Sequence, residues 1–195
     1  MMRKGRGWII AGLLLMAAAL FLTGYNLWEQ RRAGSDAAQA ASALVEQLPA
    51  AENTPAYLLT PEMEMPETTI DGTAYIGVLR IPALGLELPI VSQWSYPALK
   101  HAPCRYSGSA YLDDLVLCAH NYPSHFGQLG SLHTGDEITF TDVDGNVFTY
   151  AVAGLESLSP TAIEEMEGGG WALTLFTCTV GGQSRMALRC DRVSE

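Results

Sequence analysis

From Gly7 to Trp28 the chain reads GWIIAGLLLMAAALFLTGYNLW, without one charged residue. About 20 apolar residues rising about 1.5 Å each cross a hydrocarbon core of roughly 30 Å, so the pattern predicts a transmembrane helix over 7–28. Beyond it, SDAAQAASALVEQL (Ser35 to Leu48) keeps Ala, Leu and Val at helical spacing behind a candidate N-cap at Ser35, which predicts a short helical stalk. Pro49, Pro55, Pro61 and Pro66, interleaved with Glu52, Glu62, Glu64 and Glu67, then break the helix into an extended acidic linker.

From Ala74 the pattern changes to short apolar or alternating runs: YIGVLRIPAL, LELPIV, LVLCAH, DEITFTD, VFTYAVAGLESL, WALTLFTC and RMALRCDRV. These have strand length and strand composition. Asp144-Gly145 between two β-rich arms predicts a hairpin. TAIEEME is good for one helical turn, and the Gly168-Gly169-Gly170 run reads as a loop. Seven or eight short strands with Gly and Pro turns predict a mostly β fold, a closed or nearly closed barrel. The chain divides into an N-terminal tail (1–6), an anchor (7–28), a stalk and linker (29–73) and one folded domain (74–195).

Charge adds orientation. Arg3, Lys4 and Arg6 precede the apolar stretch, and Trp8, Tyr25 and Trp28 stand at its edges, which suits a cytoplasmic N-terminus and a folded domain outside the cell; Arg31 and Arg32 dilute the asymmetry. A cleaved signal peptide is the alternative, but the stretch exceeds the h-region of about 7–15 residues such peptides carry. With 11 basic and 21 acidic residues, net charge −10, the chain lacks the basic face that a nucleic-acid partner requires.

Four cysteines, Cys104, Cys118, Cys178 and Cys190, open several chemistries. An outward-facing domain permits disulfides. Cys118, His120 and His125 suggest zinc, but lack the paired spacing of structural zinc sites. Nucleophilic catalysis explains more of the pattern: a reactive thiol needs a base or a cation beside it, and acyl transfer also needs a donor where the carbonyl oxygen turns negative. Of His101, His120, His125 and His133, only His120 ends a strongly apolar strand, the placement Cys178 has at the end of LTLFTC. Arg185 follows Cys178 by seven residues across a Gly181-Gly182 turn, which returns it to the same rim.

These residues carry a resemblance. TLFTC (Thr174 to Cys178) resembles the TLxTC signature of sortases, Arg185 falls where short-loop sortases carry their arginine, and the order His120, Cys178, Arg185 is theirs. YIGVLRIPALGLELPIV and AHNYPSHFGQLGSLHTGDEITF are similar to the opening strands and the histidine segment of that family. The resemblance covers roughly Ala74 to Val193. It departs at Ala119, where the family commonly has glycine, and Cys104, Cys118 and Cys190 lie outside its motif, as core thiols or a local disulfide.

The resemblance implies an eight-stranded sortase barrel and a single-pass membrane enzyme, a cysteine transpeptidase of the kind that anchors surface proteins on Gram-positive cells. Cys178 is then the nucleophile toward an LPxTG-like sorting signal of secreted proteins, forming a thioacyl enzyme; His120 is the general acid and base, and Arg185 the donor to the carbonyl or oxyanion. Thr177 orients substrate or Arg185. The second substrate is a cell-wall precursor or another amine. No cofactor is implied, although Asp113, Asp114, Glu164, Glu165 and Glu167 would be the residues to meet around a calcium ion as in class A enzymes. The short segments SPTAIEEMEGGG and TVGGQS favour a class D or E-like enzyme. Two other readings stay open. A cell-wall cysteine hydrolase of papain type would place its cysteine first and on a helix, and an anchored binding barrel would need no reactive thiol.

Overall fold

The computed structural model describes residues 4–49, 55–179 and 182–193. A single helix, α1 (Lys4–Val45), runs through both the apolar stretch and the expected stalk. Ser35 does not cap a second helix: its hydroxyl turns back to the Arg32 carbonyl at 2.8 Å, as a mid-helix serine does. From Trp8 to Trp28 the apolar side chains are exposed, and the helix is long and apolar enough to cross a membrane. Its second half is one-sided instead. Ala33, Ala37, Ala41 and Leu44, about one turn apart, are buried. Leu44 packs among Val78, Val91 and Cys104, a burial that stabilises by about 2 kcal/mol.

Residues 50–54 of the acidic segment lie outside the described residues; the remainder runs along the folded domain, with Met65 buried and Tyr57 stacked on Tyr111 at 4.6 Å. Nine strands follow: β1 (Thr68–Ile70), β2 (Thr73–Ile81), β3 (Leu86–Val91), β4 (Cys104–Ser107), β5 (Leu115–Ala119), β6 (Glu137–Asp142), β7 (Val147–Leu158), β8 (Leu173–Cys178) and β9 (Arg185–Arg192). Two short helices, α2 (Tyr96–Leu99) and α3 (Ile163–Glu167), lie in the connections.

Strand order is β1-β2-β3-β4-β5-β8-β9-β7-β6, and β6 pairs back onto β2. That pairing closes eight strands into a barrel and leaves β1 outside the ring. The seam needs a glycine, because a Cβ at Gly77 would come within 2.1 Å of the Thr141 carbonyl oxygen. The interior is filled from alternate positions, by Phe148, Tyr150 and Val152 of β7, Leu173 and Leu175 of β8, and Leu188 of β9. β5 is buried at every position, since its second face is covered as well: Val116 packs with Met166 of α3 and Ala187 of β9. This covered outer face leads to the site.

Candidate active site

β5 and β8 run parallel in register from Leu115↔Leu173 to Ala119↔Thr177. The next residue on each is His120 and Cys178. β8 and β9 run antiparallel with Cys178 opposite Arg185, so the chain returns the arginine beside the thiol after Ser184; of the expected Gly181-Gly182 turn, Gly181 lies outside the described residues. Between the two strands Thr179 N–H donates to the Ser184 carbonyl at 3.0 Å and Gly182 N–H to the Thr179 carbonyl at 2.8 Å. Register thus brings together the three residues the sequence singles out. They line one cleft of about 250 Å³ on the outer face of β5, β8 and β9, together with Trp94, Tyr106, Phe176, Ile163 and Met166.

Thr177 ties the two strand ends together: its buried hydroxyl donates to the Ala119 carbonyl at 2.8 Å. Cys178 is half-buried with a free thiol. Burial lowers the His120 pKa below the usual histidine value, opposed in part by Glu29 of α1 and assisted by Lys100. The imidazole is therefore neutral at pH 7. Its ring stacks on Tyr122, centroids 4.9 Å apart. Among the described residues, the Arg185 guanidinium meets two backbone carbonyls, of Gly182 at 3.5 Å and Ser184 at 3.4 Å, and no carboxylate. A neutral base, a thiol and an uncommitted cation on one apolar cleft suit acyl transfer, in which charge appears on a carbonyl oxygen and must be met by a fixed donor.

The other candidates go elsewhere. His101 lies beside Asp36 of α1 at 3.1 Å, and His133 is exposed beside Asp136. His125 is fully buried, and among the described residues neither ring nitrogen makes a hydrogen bond of ordinary geometry, although the Ala33 backbone of α1 lies close enough to favour its protonated form. Cys104 and Cys118 face each other across β4 and β5, and both are free and buried, as is Cys190. Burial raises all three thiols, Cys104 and Cys190 to about 12. Asp114 accepts from the Ser109 N–H at 2.7 Å and Asp113 pairs with Arg192 at 3.3 Å. Among the described residues no three His, Cys, Asp or Glu side chains gather as a metal ion would need. A larger cavity, about 450 Å³ between Tyr57, Tyr111 and Arg192, holds no thiol or imidazole.

Sequence reasoning passes over the aromatic wall of the cleft. Trp94 stacks on Tyr106 with centroids 5.8 Å apart, and Tyr106 meets Phe176 edge-on at 5.2 Å. The available signal is the aromatic density of QWSYP between two strands, but periodicity says nothing about where a loop's rings point.

Residues 79–193 match the family model for the sortase domain. A sortase A from Bacillus anthracis is 28% identical over 121 residues, 59% of this chain and 57% of that protein, so the chain spans little more than half the length of that relative. Among solved structures, sortase C1 from Streptococcus agalactiae is similar with a TM-score of 0.57 and 25% identity, over 73% of this chain and 79% of that one. A Clostridium perfringens sortase D5 transpeptidase has a TM-score of 0.54 over 62% of this chain and 79% of its own; at 18% identity that likeness bears on the fold alone.

Proposed function

We propose that this chain, which belongs to the sortase family, is a membrane-anchored transpeptidase that cuts an LPxTG-like sorting signal and joins the released carboxyl to a cell-wall amine. The observation that carries the proposal is the register that puts Cys178 opposite Arg185 and one residue past the pair Ala119↔Thr177 that leads to His120. His120, neutral at pH 7, takes the proton of the Cys178 thiol as sulfur attacks the carbonyl carbon of the scissile peptide. Arg185 meets the oxygen as it becomes negative, with a planar fork that an ammonium does not reproduce. The C–N bond breaks, the departing amine takes the proton from His120, and a thioester remains on Cys178. The incoming amine gives a proton to His120, forms the new C–N bond and releases sulfur, which recovers that proton.

The apolar lining of Trp94, Tyr106, Phe176 and Ile163 suits a sorting signal with apolar residues ahead of the cleaved bond, and the exposed first half of α1 suits a single-pass anchor with the barrel outside the cell. The five-residue α3 favours a short-loop, class D or E-like enzyme. The experiment is incubation of the detergent-solubilised chain with a library of sorting peptides, with and without an amine such as triglycine. Cleavage that shifts to a ligated product when the amine is added supports transpeptidation. Cleavage unaffected by any amine would instead make the protein a hydrolase.

A further inference from the structure

The loop after His120 is clamped between the cleft and α1. His125 N–H and Gly127 N–H both donate to the Tyr122 carbonyl at 2.9 Å, and Phe126 N–H returns to the His120 carbonyl at 3.2 Å. A Cβ at Gly127 would come within 2.5 Å of the Asn121 carbonyl oxygen, so the loop closes on itself only with glycine there. Inside it three rings form a ladder: His120 stacks on Tyr122 at 4.9 Å, and Tyr122 meets His125 at 5.6 Å, tilted by 45°. The last rung is fully buried.

The far side of that ladder is the helix. A Cβ at Gly34 would lie 2.9 Å from the Ser124 Cβ and 3.0 Å from its hydroxyl oxygen, closer than side chains pack, so α1 and the loop touch here because residue 34 has no side chain. Buried Ala33 is its neighbour, and the Asp36–His101 contact at 3.1 Å fixes the helix about half a turn further on. The contact therefore lies about two turns beyond Trp28, where the exposed apolar stretch ends.

We propose that Tyr122 and His125 are positioning residues for His120, and that α1 holds them in place through the close contact at Gly34. The proposal rests on the reading of His120 as the general acid and base. The ladder fixes the plane of the His120 ring, which has no hydrogen-bond partner of its own among the described residues, and Tyr122 covers one of its faces. The groups facing that ring are Glu29 of α1, Lys100 after α2, Cys178 and Arg185 across the cleft, Cys118 on its own strand, and Tyr122 and His125 in the loop. Of these, Tyr122 is the one whose removal opens the ring to water without changing a charge.

The test uses the full chain in detergent, with histidine carbons labelled and the thiol removed by Cys178→Ala, so that the His120 titration is followed by NMR independently of turnover. Turnover of a sorting peptide is measured in parallel with Cys178 present. Tyr122→Ala moves the His120 titration up toward the ordinary 6.5 and lowers kcat about 10-fold with a smaller change in KM, while Tyr122→Phe, which keeps the ring, does neither. Gly34→Leu, which leaves every loop residue native, shifts both in the same direction as Tyr122→Ala and decides the matter if Tyr122→Ala does not fold. A His120 titration unchanged in Tyr122→Ala or in Gly34→Leu overturns the proposal, and so does a shift in Tyr122→Phe as large as in Tyr122→Ala. If no variant and no parent turns over any peptide, the functional reading fails while the titration still decides this one.

Discussion

The strand ends at the mouth of the cleft and the covered stretch beside them carry the same chemical groups in opposite states. At the mouth stand Cys178, Arg185 and His120; in the covered stretch stand Cys118 and Arg189, and His125 is buried in the loop beside it. Arg185 and Arg189 share one face of β9. Among the described residues Arg185 meets only carbonyls, at 3.4–3.5 Å, whereas Arg189, 2% exposed, donates to Thr174 Oγ1 at 2.9 Å, to the Met166 carbonyl at 3.0 Å and to the Glu165 carbonyl, and pairs with Glu156 at 3.2 Å. Residue type and face are equal, so commitment decides. A guanidinium whose three nitrogens are each engaged by α3 and its neighbours has little to offer a substrate, and one that meets no carboxylate among the described residues has more.

The thiols give the largest test of that contrast. Cys178→Ala abolishes peptide cleavage, because the nucleophile is gone. Cys118→Ala and Cys104→Ala retain it, since burial raises both thiols and keeps them protonated at pH 7. Their cost is a cavity of about one sulfur atom, read as lower stability. Cleavage by Cys178→Ala at the parental rate would show that the open thiol is not the reactive one.

The arginines come next. Arg185→Ala lowers kcat by at least about 100-fold with the fold intact, the size of losing one oxyanion donor, and Arg185→Lys recovers little of it. Arg189→Ala acts on stability. It strands two carbonyls and the Thr174 hydroxyl under α3, which costs roughly 3 kcal/mol by denaturant titration, while kcat changes less than in Arg185→Ala. Rates for the three variants, set beside their denaturation midpoints, reverse the assignment if Arg189→Ala has the larger loss of kcat and Arg185→Ala the larger loss of stability.

How much of this contrast is legible in the sequence follows from where the information lies. β3 and β7 read directly, because six and twelve residues of apolar or alternating pattern leave little else for them to be. β4 does not: CRYS is four residues with a register shift after Arg105, held to β3 by the single pair Val91↔Cys104. Cys178, His120 and Arg185 are legible because each sits at a strand end, and strand ends on adjacent strands meet. The second half of α1 misleads for a physical reason. Its buried face is built of alanines, which carry almost no hydropathy signal, and serine suits a cap as well as an exposed helix position. Its partners are distant in the chain, Val78 and Val91 for Leu44 and Ser124 for Gly34, so neither the Gly34 contact nor the burial of His125 is visible before folding.

The histidines give the smallest and most specific test. His125 is fully buried with no hydrogen bond of ordinary geometry among the described residues, and burial holds its pKa down at about 4, opposed by the Ala33 backbone beside the ring and assisted by His120. In the unfolded chain the same ring titrates near 6.5. Between these values the unfolded state binds a proton that the folded state does not, so folding stability rises with pH across that window and falls on acidification from about 6.5 to about 4. At about 1.4 kcal/mol per unit, the full loss is on the order of 3 kcal/mol. His125→Phe keeps a ring and removes two buried nitrogens that make no hydrogen bond of ordinary geometry among the described residues, so it changes stability little at pH 7 and removes this part of the acid sensitivity. Carboxylates titrate in the same range, but they do so in both proteins, so the readout is the difference between parent and variant. Denaturant titrations at pH 7 and pH 5 measure it: the parent loses more stability than His125→Phe over that interval. Equal losses would mean that His125 is open to protons in the folded state, and the contrast between the open and the buried imidazole would fall.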